Sequence, residues 1–487
     1  MAGLSKVQAQ LTLSRLTYGP SKASTAALQK AGISAWLKDQ LNPKKVETYA
    51  GLKDLSSFPT ESMTPAQLQA FYLYKIKPNL MANELAQLTL LRRLYSSRQV
   101  FEMLVEHFSD YVPVPFENKR SFYRGDYDKN VIRKHALGTY PDLLAAAAFH
   151  PGMLKFLNGN TNTAEHPNEN FGREFLELFT ITPTAGYTEL DVQSAAKMFS
   201  GISFDGATGL VRTRVKQHYY GPLTVFGYTD ANATTESEAV LRARIEKMIR
   251  HFALLPQTAK AFSVRMARRF VTDVPSASLI KKMSTAYLAS GGNIPRVFTV
   301  MVESAEFSAA TPSKVKRPME HLSSTVRALD LQLSRAIPKP NLMDYKTYAN
   351  GSPMPAIQAA VARQGHAPFE WPFPNGYPDS GEPWTTLTSQ VQRWNLSNKL
   401  ASGKLPNVFQ APDCEAFISP TSQTSAEIVR DLAVHFYGAP IAQSEAKQIE
   451  AFLDKGVKKG LVKATYRKNL AIAAAAVLLS KPDWNLR

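Results

Sequence analysis

Apolar residues recur three and four positions apart along most of this chain, the spacing of helices that bury one face. Residues 4 to 40 read as two helices broken at Gly19 and Pro20, the first carrying Leu11, Leu13, Leu16 and Tyr18, the second Leu28, Ile33, Trp36 and Leu37. A proline-bearing linker follows from Lys44 to about Thr64. From Pro65 to Tyr111 the pattern is again helical, with a break at Pro78, Arg93 off the apolar stripe, and Arg92 and Arg98 at its edges. Val112-Pro113-Val114-Pro115 must be extended, because each residue before a proline is pushed out of the helical region. Helices are next expected from Asp126 to Leu137, from Pro141 through LLAAAAFH, from Asn168 to about Thr180, and from Thr188 to Phe199. Thr188 with Asp191 forms a weak capping box.

A two-residue period is clear in one place, where Leu210, Arg212, Arg214 and Lys216 alternate with Val211, Thr213, Val215 and Gln217. It predicts a small β hairpin or ribbon near 202–228. Helices resume from Glu236 to Phe252, Pro256 to Thr272, Ser276 to Ala289, Ile294 to Glu303 and Lys316 to Leu333. Pro338 to Met354 reads as loop, and a Pro/Trp-rich loop near 365–384 interleaves prolines with Trp371, Phe373, Tyr377 and Trp384. Closing helices cover 388 to 402, 425 to 437, 443 to 457 and 462 to 479. No fixed-period repeat is present, which argues against a solenoid. The class is therefore mainly α, a multi-helix globular protein. At 487 residues two lobes are expected, 1–230 with the ribbon and 231–487 with the aromatic loop.

Composition supports a packed core, since 44% of residues are hydrophobic and 20% charged. A net charge of +17 makes an anionic polymer a candidate partner, although a basic surface that only keeps the protein soluble is the commoner cause of such a charge. No specific nucleic-acid signature accompanies the charge. Cys414 is the single cysteine, so no intrachain disulfide forms, and its acidic neighbours would raise rather than activate the thiol. The opening MAGLSKVQAQLTLSRLTYG lacks the order of a signal peptide. No run of about 18 apolar residues occurs, so no membrane span is expected.

Candidate chemistry concentrates between His150 and Gly201. On a helix starting at Asn168, Phe171, Phe175, Leu178 and Phe179 share one stripe, with Asn170, Arg173 and Glu177 opposite and Glu174 flanking. One reading is a solvated ladder in which Arg173 bridges Glu169 and Glu177. The other is a site: Glu174 and Glu177 as acid/base pair or metal ligands, Glu169 as a third carboxylate, Arg173 as an anion clamp and His135 as proton shuttle or ligand, with Asn168 and Asn170 binding substrate. A divalent metal is a candidate cofactor, with Glu174, Glu177, His135 and His150 as candidate ligands, although Glu-x-x-Glu is only a weak match to a di-metal bundle. His107, His166 and His218 also fall nearby in sequence. Trp371 and Trp384 offer stacking faces to a substrate, or plug the helical core. Arg265, Arg268 and Arg269 could bind polyanions or form a solvated basic face. Walker, G-x-S-x-G, G-x-G-x-x-G and H-E-x-x-H motifs are all missing, which leaves those enzyme classes unsupported.

The segments IRKHALGTYPDLLAAAAFHPGMLKFLN, PNENFGREFLELFT, GYTELDVQSAAKMFSG, ARRFVTD, PNGYPDSGEPW, LSRLTYGPS and KVKRPMEHLSSTVRAL together resemble the bacterial family known as domain of unknown function 1800, over nearly the whole chain. The resemblance implies a periplasmic or secreted protein, encoded beside a sulfatase-like partner protein, and implies no particular activity. Asn168, Glu169, Asn170, Arg173, Glu174 and Glu177 fall on the family's NENxxRExxEL signature, and His135 and His150 on its flanks. The chain departs at Phe179, where many relatives carry His, and at Ile202, where Trp is usual; the first departure weakens a histidine-containing metal site there. Enzyme and non-catalytic assembly factor both remain open on this reading.

Overall fold

The computed structural model describes residues 4–73, 79–116, 123–339, 352–455 and 464–487. Helices dominate them, and capping explains where many begin. Ser5 and Gln8 close a capping box on Lys6–Leu16, Thr188 and Asp191 on Glu189–Met198, and Thr424 and Glu427 on Ser425–Tyr437. Proline opens Pro256–Phe270 and Pro318–Ala328, where its missing N–H has no helical partner to lose. A contiguous cluster of buried apolar side chains runs from Ala9 to Trp484.

Several expected boundaries move for identifiable reasons. The helix expected after Pro20 is two helices, Lys22–Ala31 and Ile33–Gln40, divided by Gly32 at φ 74°. The expected linker from Lys44 to Thr64 holds a short helix, Ala50–Lys53, and a 3₁₀ turn, Pro59–Ser62. The break at Pro78 lies outside the described residues, as does most of the loop expected from Pro338 to Met354. Two further helices were not legible, Ala305–Ala309 and Met354–Ala362. The helix expected over 126 to 137 is Tyr123–Tyr127 running into a π-turn, Asp128–Arg133, and the signature helix likewise passes from Glu169–Glu174 into a π-turn, Phe175–Phe179.

The ribbon is two separate antiparallel pairs: Ile202–Phe204 with Val211–Thr213, and Leu223–Val225 with Tyr228–Asp230. The alternation from Val215 to Gln217 does not continue the strand. Arg214 N donates back to Gly201 O at 2.7 Å, and the chain turns into a 3₁₀ segment that delivers His218 to Ser200 and Asn232. Among the described residues no helix is long and apolar enough to cross a membrane.

Candidate functional site

The signature segment sits where two helices meet closely. A Cβ on Gly172 would lie 2.9 Å from Ala196 N and 3.1 Å from Val192 O, so glycine is what lets Glu169–Glu174 press against Glu189–Met198. Phe171 and Phe175 then set their edges on Phe199, at 4.7 and 5.0 Å between centroids. The amides fasten this contact. Asn168 caps the helix, its Oδ1 accepting from Asn170 N at 3.0 Å and its Nδ2 donating to Asn158 O at 2.9 Å. Its own N–H donates to buried Asn162, whose Nδ2 donates to Ala196 O at 2.7 Å, and Asn170 Nδ2 donates to Leu157 O at 3.3 Å.

Arg173 bridges Glu169, as the ladder reading expected, but its second partner is Glu189 rather than Glu177. Its guanidinium donates to both Glu189 oxygens, at 2.8 and 2.6 Å, and to Glu169 at 3.2 Å. That pairing holds the Arg173 pKa above its ordinary value. Glu177 instead accepts from the Tyr187 hydroxyl at 3.1 Å. Glu174 differs from its neighbours. It is half-buried, makes no hydrogen bond or ion pair among the described residues, and its carboxyl is raised above the usual range by burial first and by the Glu177 charge second.

The histidines go to separate places. His150 caps Pro151–Phe156, with Nδ1 accepting from Gly152 N at 3.0 Å and Nε2 2.9 Å from Asp126. Half-buried His135 has its pKa lowered by burial and then by Lys134, and His166 is exposed. Buried His107 packs among Phe108, Tyr111 and Phe270, and burial pushes it down to about 3, so it is a neutral imidazole. Among the described residues no three His, Cys, Asp or Glu side chains are arranged to hold a metal ion. Glu174, Glu177, His135 and His150 thus do not form such a set. Cys414 is buried, and burial followed by Asp413 pushes its thiol up to about 12.

A second centre, which the sequence reading did not single out, surrounds Glu106 on the Gln99–Tyr111 helix. The Glu106 carboxylate accepts from the Tyr18 hydroxyl, and lies 3.2 Å from Arg317, 3.7 Å from Arg93 and from Arg269, and 3.6 Å from His366. Arg317 reaches Asp110 at 2.5 Å and Asp379 at 2.9 Å, and donates to the Tyr377 and Pro378 carbonyls. Arg269 pairs with Glu320 at 2.6 Å, and Arg487 closes the set at 3.3 Å from Glu320. Burial alone would raise the Glu106 carboxyl, but Arg93, Arg269 and Arg317 outweigh it and hold it well below the usual range. Glu320 is brought to about 2 in the same way, by Arg269 and Arg487. Asp110 is pushed up to about 6, burial outweighing the attraction of Arg317.

This centre revises two expectations. Arg93, expected off the apolar stripe, is buried beside Glu106 and over the Tyr18 ring, because its helix is packed on that side too. Of the basic tract, Arg269 is buried, Arg265 lies 4.0 Å over Tyr111, and Arg268 remains exposed. The aromatic loop enters the same centre. Gly376, at φ 69°, passes so close to Asp110 O that a Cβ would overlap it, and this brings Asp379 to Arg317. Trp384 is buried, its Nε1 donating to Pro378 O at 3.2 Å; Trp371 is partly exposed and held by Asn375. The clue in the sequence was charge inside apolar helix: Glu106 stands between Val105 and Phe108.

The fold and this centre define a mainly helical protein whose widely separated motifs, RPME, ARRFVTD and PNGYPD, converge on one buried ion network. The chain belongs to the family of proteins of unknown function DUF1800, whose model matches residues 11–486. No curated protein and no solved structure matches it.

Proposed function

We propose that the chain is a non-catalytic interaction or assembly factor of the periplasm or cell exterior, whose braced helical body docks a partner protein. The observation that carries this reading is on the Leu387–Ala401 helix, where Leu387 is 78% exposed, Val391 40% and Trp394 44%. Steps of four and three residues put them on one face, and contiguous apolar surface in water favours a covering partner. The +17 charge suits an acidic partner surface or an anionic polymer, and the family resemblance points to a sulfatase-like partner protein. Co-expression with a sulfatase-like protein as the candidate partner, followed by size exclusion, tests the reading. Co-elution is expected to be lost in Leu387→Ser/Trp394→Ser and kept in Glu174→Gln/Glu177→Gln. Co-elution that survives the first pair, or fails in wild type, overturns it.

One observation favours a second reading, an enzyme acting on an anionic or polymeric substrate: among the described residues Glu174 is a half-buried acid with no hydrogen bond or ion pair, beside Glu177, and a raised carboxyl suits a general acid. Glu169, Asn168 and Asn170 would then line or orient substrate, and Arg173 would have to leave Glu189 to clamp an anion. Loss of turnover on such a polymer in Glu174→Gln, with folding intact, decides for it.

A further inference from the structure

The Met354–Ala362, Leu387–Ala401 and Pro318–Ala328 helices, with residues 405–409, enclose a cavity of about 190 Å³. Leu322, Ile357, Leu396, Leu405, Val408 and Phe409 make its walls apolar. The far wall is fixed by the backbone, since Ser334 N donates to Val408 O at 3.0 Å and Gln410 N to Gln332 O at 2.9 Å. The polar side chains that line it are Gln392, half-buried, and Arg363 and Lys399, both exposed. None of these three side chains makes a hydrogen bond or ion pair among the described residues. Gln392, Leu396 and Lys399 follow one another at four and three residues, on a different face from Leu387, Val391 and Trp394. The cavity is thus separate from the stripe that carries the docking reading, and stands whether or not that reading does.

Apolar walls alone would accept any small hydrophobe, and two cations alone would accept any small anion. Together they select a molecule with both parts. A cavity of about 150 Å³ lined by apolar side chains holds benzene, so this one takes an apolar body of roughly six to eight carbons. We propose that the cavity binds a small amphipathic carboxylate, aliphatic or aromatic, with its body against Leu322, Ile357 and Phe409 and its carboxylate at Arg363 and Lys399. Arg363 offers a planar pair of donors that matches a carboxylate, Lys399 adds a second charge, and the Gln392 amide supplies a further donor.

Calorimetric titration of the full chain with octanoate and with 1-octanol tests this. Octanoate is expected to bind more tightly than 1-octanol. Arg363→Ala/Lys399→Ala, exposed positions whose loss leaves the melting temperature unchanged, should weaken octanoate at least tenfold and leave 1-octanol unaffected. Ala360→Phe, which fills the cavity from its helix wall, should abolish binding of both while the chain still melts cooperatively. The proposal is overturned if wild type does not bind octanoate, if Ala360→Phe binds it as well as wild type, or if octanoate affinity ignores the loss of both cations.

Discussion

The signature segment and the Glu106 centre are both built from carboxylates, arginines and amides, yet water treats them in opposite ways. Arg173, Glu169 and Glu189 meet where solvent screens them, and such pairs add little to stability. Arg317, Glu106 and Asp110 meet where it does not, so each charge depends on the others being present. Residues crowded in sequence form a local brace between two helices and their loop. Residues scattered from Tyr18 to Arg487 form the clamp that ties distant helices together. Conspicuous motifs and energetic centres therefore need not coincide.

Arg317→Met should have the largest effect. It strands Glu106, Asp110 and Asp379 in a buried site, and removing one partner of such a network costs about 3–5 kcal/mol. Denaturant titration should show that loss; a loss below about 1 kcal/mol would place the two regions on the same footing.

The pH dependence of Asp110 comes next. Its folded pKa, about 6, is above its ordinary 3.8, so the folded state holds the proton more tightly. The group therefore favours folding at low pH, and that contribution is lost as pH rises from about 4 through about 6. Asp110→Asn should remove this trend, so its stability relative to wild type should climb across that window; a flat difference would refute the assignment. Glu320 acts in the other direction, its contribution being present above 4.5 and lost as pH falls through about 2.

Within the signature, Gly172→Ala should have the larger effect, because its Cβ meets backbone that can move only by parting the helices. About 1–3 kcal/mol is expected from that overpacking in thermal melts. Arg173→Ala should cost less than about 1 kcal/mol, and the cost should shrink further in high salt. An Arg173 effect larger than the Gly172 effect would reverse the assignment of roles inside this segment.

How much of this was legible in the sequence depended on the range of each interaction. Caps and apolar spacing act within a few residues, and Asn168, Thr188 and the stripe of Phe171 and Phe175 stand where local pattern put them. The π-turns at Asp128–Arg133 and Phe175–Phe179 were not legible, because an extra residue in a turn leaves no distinct apolar spacing. Arg93 misled because its helix shows one apolar stripe, while the opposite side meets Glu106 rather than water. Likewise the four-residue step from Arg173 to Glu177 invited a pairing that Glu189, on the next helix, takes instead. Asp379 and Glu106 are 273 residues apart, and only packing of the aromatic loop onto the Gln99–Tyr111 helix brings them to one arginine.

The most direct test of this division compares unfolding free energies of Glu106→Gln and Glu174→Gln in denaturant at neutral pH. Glu106→Gln is expected to lose about 3 kcal/mol or more, by leaving Arg93, Arg269 and Arg317 without their shared anion. Glu174→Gln should be neutral or slightly stabilising, since a half-buried carboxylate with no hydrogen bond or ion pair among the described residues is replaced by an uncharged amide. A Glu106→Gln variant as stable as wild type, or a Glu174→Gln variant that loses as much, would contradict that division.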